Sequence, residues 1–328
     1  MRPKAHQFLD MAGDILTMNM IAQARRKSRL EAGSIEFVNS REFNFTLNEE
    51  TKYPLKYSES PEMQSKQLVE EFMLMANILV AQHLHKYCED KTLLRAHADI
   101  TDGRKEALGS FFKRLKLDIN TTDALSLNES IQRLALQKGS EDTLHVVKRK
   151  LLTNLQQARY VCVESLEPED FFHYGLNFKV YTHFTSPIRR YADLLVHRLL
   201  TITLKEKENT RAKLDGLDYA EYAQEISAKS FNARTAAREC ESLFHCLLLK
   251  DHGSRVYDSL IFEVDQQQIS LYIHELNMHL NYKLRDDPRI GQTTYFEDDH
   301  VVACTFRTAQ ALAPGLRDYL GNSGLNAA

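Results

Sequence analysis

The residues of this chain best suited to chemistry lie between Phe171 and Arg198, in the run FFHYGLNFKVYTHFTSPIRRYADLLVHR. Thr185-Ser186-Pro187 reads as a helix start, with Ser186 as N-cap and Pro187 at the first helical position. Arg189 and Arg190 would then fall in the first turn, where cations oppose the helix macrodipole at a cost of tenths to about 1 kcal/mol. Free amides and two guanidiniums at a helix N-terminus make a strong anion site, suited to phosphate groups. Arg189, Asp193 and His197 recur every four residues down one face, while Ile188, Ala192, Leu195 and Leu199 mark an opposite, buried face. A plainer reading pairs Asp193 with an arginine and His197 with a carbonyl. Taken alone, these residues give a phosphate-binding helix start beside an aromatic loop, and no reaction.

The elements that must position this segment follow from hydrophobic period. Helical spacing dominates from about residue 5 to 250. Helices are expected over 5–31, 61–88, 103–117, 123–137, 142–163, 186–206 and 217–250, with a long aromatic and His-rich loop at 165–185. The basic run Arg25-Arg26-Lys27-Ser28-Arg29 suits the end of the first helix as a solvated terminus. Asn48-Glu49-Glu50-Thr51 supplies turn residues for a hairpin, with alternating stretches before it at 34–37 and 42–47. Asn77 stands out in the second helix, because Met73, Leu74, Val80 and Ala81 surround it. A buried amide must be hydrogen-bonded, so Asn77 either bonds a neighbouring loop structurally or fixes an active-site segment. After Gly253 the period becomes strand-like, with Phe262/Val264, Ile269/Leu271/Ile273, Leu280/Tyr282/Leu284 and Val301–Phe306, as a small barrel or sheet requires. The glycine-bearing tail from Ala313 is expected to fray. The fold class is thus α+β.

Composition sets limits. Across 328 residues, 42 Lys+Arg against 45 Asp+Glu leave a net charge of −3, so any nucleic-acid affinity must come from local patches. No run of apolar residues is long enough to span a membrane, and the start lacks the apolar core of a signal peptide. Five cysteines, at 88, 162, 240, 246 and 304, are scattered without a CxxC pair, which excludes a zinc ribbon or disulfide framework and suits a reducing compartment.

YTHFTSPIRRYADLLVHRLL (181–200) resembles the hallmark of the ribonuclease II (RNB) superfamily of processive 3′→5′ exoribonucleases. VEEFMLMAN (69–77), LLRAH (93–97) and FFHYGL (171–176) match in order and spacing. The pattern is most similar to the eukaryotic exosome catalytic subunit and its exosome-independent cytoplasmic relatives. LNESIQRL (127–134) and LLTNLQQARYV (151–161) lean toward the branch that degrades uridylated RNA.

The resemblance implies the C-terminal portion of an RNB catalytic domain over 1–250, then an OB-type RNA-binding barrel over 251–328. It places Arg189 on the family's catalytic arginine, which clamps the scissile phosphate. Ser186, Arg190 and Tyr191 belong to the same substrate-binding motif, with Asp193, Asn77 and His197 as structural support. Arg95 and His97 match an RNA-contacting stretch, with Ala98 where proline is usual. Phe37 aligns with an aromatic that clamps stacked bases, although a core role suits it equally. An assisting acid or amide of relatives would fall on Ala237, with Glu239 nearby on another helical face. The family's D-x-D-D cluster, which holds two magnesium ions, is expected ahead of Met1, so no metal ligand is expected in this chain. Asp286-Asp287 and Asp298-Asp299 read as solvated loop charges. The expected function is therefore part of a Mg²⁺-dependent 3′→5′ exoribonuclease that releases nucleoside 5′-monophosphates from single-stranded RNA. A non-catalytic RNA-binding fragment or isoform is the alternative. An exosome partner or none, no membrane, and a cytoplasmic or alternatively nuclear location complete the expectation.

Overall fold

The computed structural model describes residues 5–35, 43–60, 63–205, 214, 218–252, 256–265, 267–276, 278–287, 290–296 and 301–306. Phe37, Asp298-Asp299 and the tail from Ala313 lie outside the described residues. The chain forms two compact units. One comprises 1–44 with 58–241, the other 45–57 with 242–328.

The first unit opens with α1 (Ala5–Glu31) and α2 (Gln64–Tyr87). Gly33 ends α1. Its φ of +95° lets Ser34 N–H reach back to the Arg29 carbonyl at 3.1 Å, and an added Cβ would lie 2.9 Å from both Leu125 Cα and Asn177 Nδ2. The expected solvated terminus is corrected at Arg29. Its guanidinium donates to Glu71 from Nε at 3.2 Å and from Nη2 at 2.5 Å, and to Ser34 Oγ from Nη1 at 2.8 Å, with Glu71 fully buried on α2. Removing one partner of such a pair strands a buried charge. Arg29→Ala should therefore lower stability by about 3–5 kcal/mol in a denaturant melt; a change under about 1 kcal/mol, typical of a surface pair, would contradict this packing. Elsewhere α1 leaves Met11, Ile15, Leu16, Met20 and Ile21 exposed, and α2 leaves Val69 and Leu79 exposed.

α3 (Asp102–Arg114), α4 (Ala124–Ala135) and α5 (Glu141–Asn154) bury one core, with Leu108, Phe112, Leu127, Ile131, Val147 and Leu151 at its centre. Asp123 caps α4 by accepting from Ser126 N–H at 2.8 Å, one turn before the Leu127/Ile131/Leu134 stripe begins. A second core gathers Leu84 of α2 with α6 (Tyr191–Lys205) and the start of α7 (Tyr219–His252). It also takes residues of β3 (Leu93–Ala96) and β4 (Arg159–Cys162), and is built around Leu93, Tyr160, Val196, Leu199 and Tyr219. β3 and β4 pair antiparallel, Leu93 opposite Cys162 and Ala96 opposite Arg159. The helix expected to run to 163 instead ends at Asn154. Tyr160-Val161-Cys162 is buried on both faces, so it carries no alternation to distinguish a strand from a helix.

The second unit includes a hairpin of β1 (Phe43–Leu47) and β2 (Pro54–Glu59), where Asn48 Oδ1 accepts from Glu50 N–H at 3.0 Å and Thr51 N–H at 2.9 Å. Phe45 lies edge-on to Phe244 and His245 at 5.3 and 4.9 Å. β5 (Ser259–Val264), β6 (Gln268–Ile273) and β7 (Met278–Lys283) form an antiparallel meander; β8 (Ile290–Phe296) pairs with β9 (Val301–Phe306). The architecture is helix-rich α+β, but among the described residues these sheets are separate and do not close into a barrel. No described helix is long and apolar enough to cross a membrane.

Candidate functional site

The Ser186–Arg190 segment is not the first turn of a helix. Arg189 and Arg190 N–H groups both donate to the Ser186 carbonyl, at 3.2 and 3.1 Å, closing a separate turn before α6 starts at Tyr191. The expected capping by the Ser186 side chain is replaced by Asp193, whose Oδ1 accepts from Ser186 N–H at 2.6 Å. Asp193 also receives Arg190 Nε on Oδ2 at 2.8 Å and Nη2 on Oδ1 at 3.0 Å. This carboxylate is completely buried in the first turn of α6, where the helix dipole favours an anion. The unfavourable placement of Arg190 at the N-terminus of α6 is offset by Asp193. Arg190 is locked to Asp193, and Arg189 projects from the turn with no side-chain hydrogen bond or ion pair among the described residues. Ile188, expected on the buried face, is 94% exposed for the same reason. Tyr191 is exposed beside it.

Below this turn, the aromatic loop is sewn to β3. Arg95 N–H donates to the Tyr181 carbonyl at 2.7 Å, His97 N–H to Phe172 at 3.0 Å, and Thr182 Oγ1 to the Leu93 carbonyl at 2.8 Å. Asn77, buried on α2, donates from Nδ2 to Tyr181 Oη at 3.0 Å and accepts Phe184 N–H at 2.9 Å. The bond to a loop and the fixing of the segment before Arg189 are thus one arrangement. His197 contacts the Phe184 carbonyl through Nε2 at 2.8 Å and stacks on the Phe184 ring. His97 has both ring nitrogens committed. Gly175 N–H donates to Nδ1 at 3.1 Å, so Nε2 carries the proton given to the Gln156 carbonyl at 2.8 Å. Its ring is buried scaffold.

Arg95 is the unexpected centre. It is only 8% exposed, its guanidinium lies 4.7 Å from the Tyr160 ring centroid, and it has no carboxylate partner among the described residues. Burial presses its pKa down, with Arg234 of α7 and Arg190 adding to the effect. Tyr160 Oη lies 2.7 Å from His183 Nδ1. Burial, then Arg95, Arg190, His173 and Arg189, hold His183 down to about 2; burial, then His97 and Arg95, hold His173 down to about 3. Burial raises the Tyr160 pKa, Arg95, Arg190 and Arg234 oppose that rise, and Asp193 is the one carboxylate among the charges that shift it.

Unfolded histidines take up protons below about pH 6.5, whereas the folded ones do not. Stability from His173 and His183 is complete above that pH and drains away as pH falls toward their folded values. Each should cost roughly 2–3 kcal/mol by pH 4.5. His183→Phe and His173→Phe should flatten the decline in melting temperature between pH 6.5 and 4.5; an unaltered decline would count against buried neutral histidines.

Of the residues singled out in sequence, Arg190, Ser186 and Asp193 are bonded to one another, and Arg95, Asn77 and His197 are bonded to the loop that leads into their turn. Phe37 lies outside the described residues. Ala237 and Glu239 are exposed positions on α7. Arg234 is a further cation acting on Arg95, seven residues beyond Ser227, whose Oγ accepts Tyr160 N–H at 2.8 Å. That docking of α7 on β4, with Tyr219 and Ala223 buried in the second core, fixes this stretch of the helix.

A family model for the RNB domain matches residues 2–206. This chain belongs to the RNB family. The RNB chain is 31% identical over 307 residues to the fission yeast (Schizosaccharomyces pombe) DIS3-like exonuclease 2, covering 92% of this chain and 32% of that protein. It is 32% identical over 291 residues to the human exosome complex exonuclease RRP44, covering 88% and 30%. It therefore spans about a third of the length of these relatives. Mycoplasma genitalium RNase R, solved with ribose-methylated single-stranded RNA, shares the fold with a TM-score of 0.74 at 20% identity, over 91% of this chain and 45% of that one.

Divalent metal does not fit the described residues of this RNB chain. No group of three or more His, Cys, Asp or Glu stands together among them, and both oxygens of Asp193 are taken by Ser186 and Arg190.

Proposed function

We propose that this chain is the phosphate-gripping portion of a 3′→5′ exoribonuclease that degrades single-stranded RNA to nucleoside 5′-monophosphates. One observation carries the reading: buried Arg95, 4.7 Å from the Tyr160 ring and without a carboxylate partner among the described residues, lies on the strand that is hydrogen-bonded to the loop leading into the Arg189 turn. Burying a cation is unfavourable unless an anion compensates, and a phosphodiester is an anion that suits a guanidinium. Arg189, held on a fixed turn and unpaired among the described residues, grips the scissile phosphate and stabilises charge that develops on its oxygens. Arg190, Ser186 and Asp193 set that turn; Arg95 and Tyr191 contact the strand, and Phe37 is assigned to the distal bases. Relatives named as exonucleases and an RNase R solved with single-stranded RNA support the substrate class. Magnesium, in this reading, is held by residues other than those described.

The division of labour is an RNB catalytic portion over 1–250 and an OB-type RNA-binding portion over 251–328. The protein works in the cytoplasm, with or without an exosome partner. A second reading, a non-catalytic RNA-binding module, is favoured by the lack of a metal-holding group among the described residues. One experiment separates the two. The chain 1–328 and the longest natural form of the protein that contains it are each incubated with 5′-labelled single-stranded RNA and Mg²⁺. The reading expects salt-sensitive binding by both, and stepwise shortening from the 3′ end only by the longer form. Binding without shortening by either establishes the RNA-binding module instead; no binding by either sinks both readings.

A further inference from the structure

The cationic surface does not stop at Arg189. From Ser227, docked on β4, the helical period places Phe231, Arg234 and Arg238 along one stripe of α7. Phe231 is 47% exposed. Arg234 reaches only its own helix, donating from Nε to the Ser230 carbonyl at 3.3 Å, and Arg238 donates to Thr235 Oγ1 at 3.4 Å. Arg238 also sits close enough to half-buried Arg149 of α5 to lower its pKa, after burial itself, and Arg149 Nε is buried with no partner. Among the described residues none of these three arginines forms an ion pair. The printed side-chain bonds of Arg234 and Arg238 both stay within α7, so among the described residues their charge meets no carboxylate in an ion pair.

Cations one turn apart on a helix repel. A mobile polyanion removes that repulsion, and an exposed ring on the same stripe offers a stacking platform. Cations along a path with an interleaved aromatic are what sequence-independent binding of single strands requires. We propose that Phe231, Arg234, Arg238 and Arg149 form a second RNA subsite, which takes the phosphates adjoining the one at Arg189 and stacks a base on Phe231. This rests on the RNA reading above and extends it along α7.

The test uses chain 1–328 and a fluorescein-labelled oligoadenylate, with anisotropy titrations at several salt concentrations. Each phosphate contact on a single strand contributes about 0.7 to the slope of log K against log salt. Arg234→Gln/Arg238→Gln should lower the slope by about 1.4, whereas Arg234→Lys/Arg238→Lys should keep it. Phe231→Ala should leave the slope intact, weaken oligoadenylate about tenfold, and leave inorganic polyphosphate binding unchanged. Arg189→Gln is the reference, expected to lower the slope by about 0.7. If Arg189→Gln lowers the slope and the double variant does not, the subsite is overturned and the RNA reading stands. If the unsubstituted chain binds no RNA, both fall. If Phe231→Ala weakens polyphosphate and oligoadenylate equally, no base is stacked there and the proposed subsite is overturned. Circular dichroism melts of the variants should overlay; a variant that melts early is judged through its lysine counterpart.

Discussion

Asp193→Ala should destabilise the first unit by about 3–5 kcal/mol and lower its thermal midpoint by roughly 10 °C. Among the described residues, this fully buried carboxylate is the only side chain that accepts Ser186 N–H and the only one that holds Arg190, at 2.6 Å and at 2.8 and 3.0 Å. Alanine removes all three bonds together. It leaves a backbone donor unsatisfied and a guanidinium among Arg95 and Arg189 with nothing to neutralise it. Asp193→Asn keeps an oxygen for Ser186 but no charge for Arg190, so its loss should be intermediate. A thermal and denaturant melt of both variants checks the order. Equal stability of wild type and Asp193→Ala would mean that the turn holds its shape without the carboxylate, and Arg189 would then lack a fixed mount.

Arg189→Ala should do the opposite: little to the melt, much to the reaction. The side chain has no partner to lose among the described residues, so the expected stability change is within about 0.5 kcal/mol. On the exoribonuclease reading proposed above, single-turnover release of mononucleotides should slow about 10²–10³-fold. Affinity for RNA should fall far less, since Arg95, Arg190 and Arg234 remain. Arg189→Lys should recover only part of the rate, because an ammonium cannot present the planar fork that fits two phosphate oxygens. Equal losses in affinity and rate would make Arg189 a binding group alone.

Period and turn chemistry made most of the frame legible. The α1 and α7 helices, the Asn48 turn and the change to strands near residue 255 all announce themselves in the sequence. The chemistry-bearing segment was located for a partly mistaken reason. Ser-Pro is a strong helix-start pattern, yet the buried Asp193 captures Ser186 N–H from seven residues away and makes 186–190 a turn of its own. That long-range bond lies beyond any local propensity. It turns Ile188 outward and moves both arginines ahead of the helix dipole. The β3–β4 pair was hidden because Leu93–Ala96 and Tyr160–Cys162 are buried throughout and show no alternation. Arg29 looked like a solvated helix end because its partner, Glu71, arrives from a different helix. Arg95 was singled out by motif resemblance, but its burial over Tyr160 and its place beside Arg234 are consequences of how β3, β4 and α7 pack.

The central claim, that a guanidinium fixed at Arg189 meets the phosphate under attack, is tested most directly by chemical rescue. Single-turnover mononucleotide release by the Arg189→Ala enzyme is measured with increasing free guanidinium, and with ammonium as the control cation. The account predicts a slow variant whose rate climbs with guanidinium and hardly responds to ammonium. A variant that cleaves at the unsubstituted rate without any added cation would contradict it.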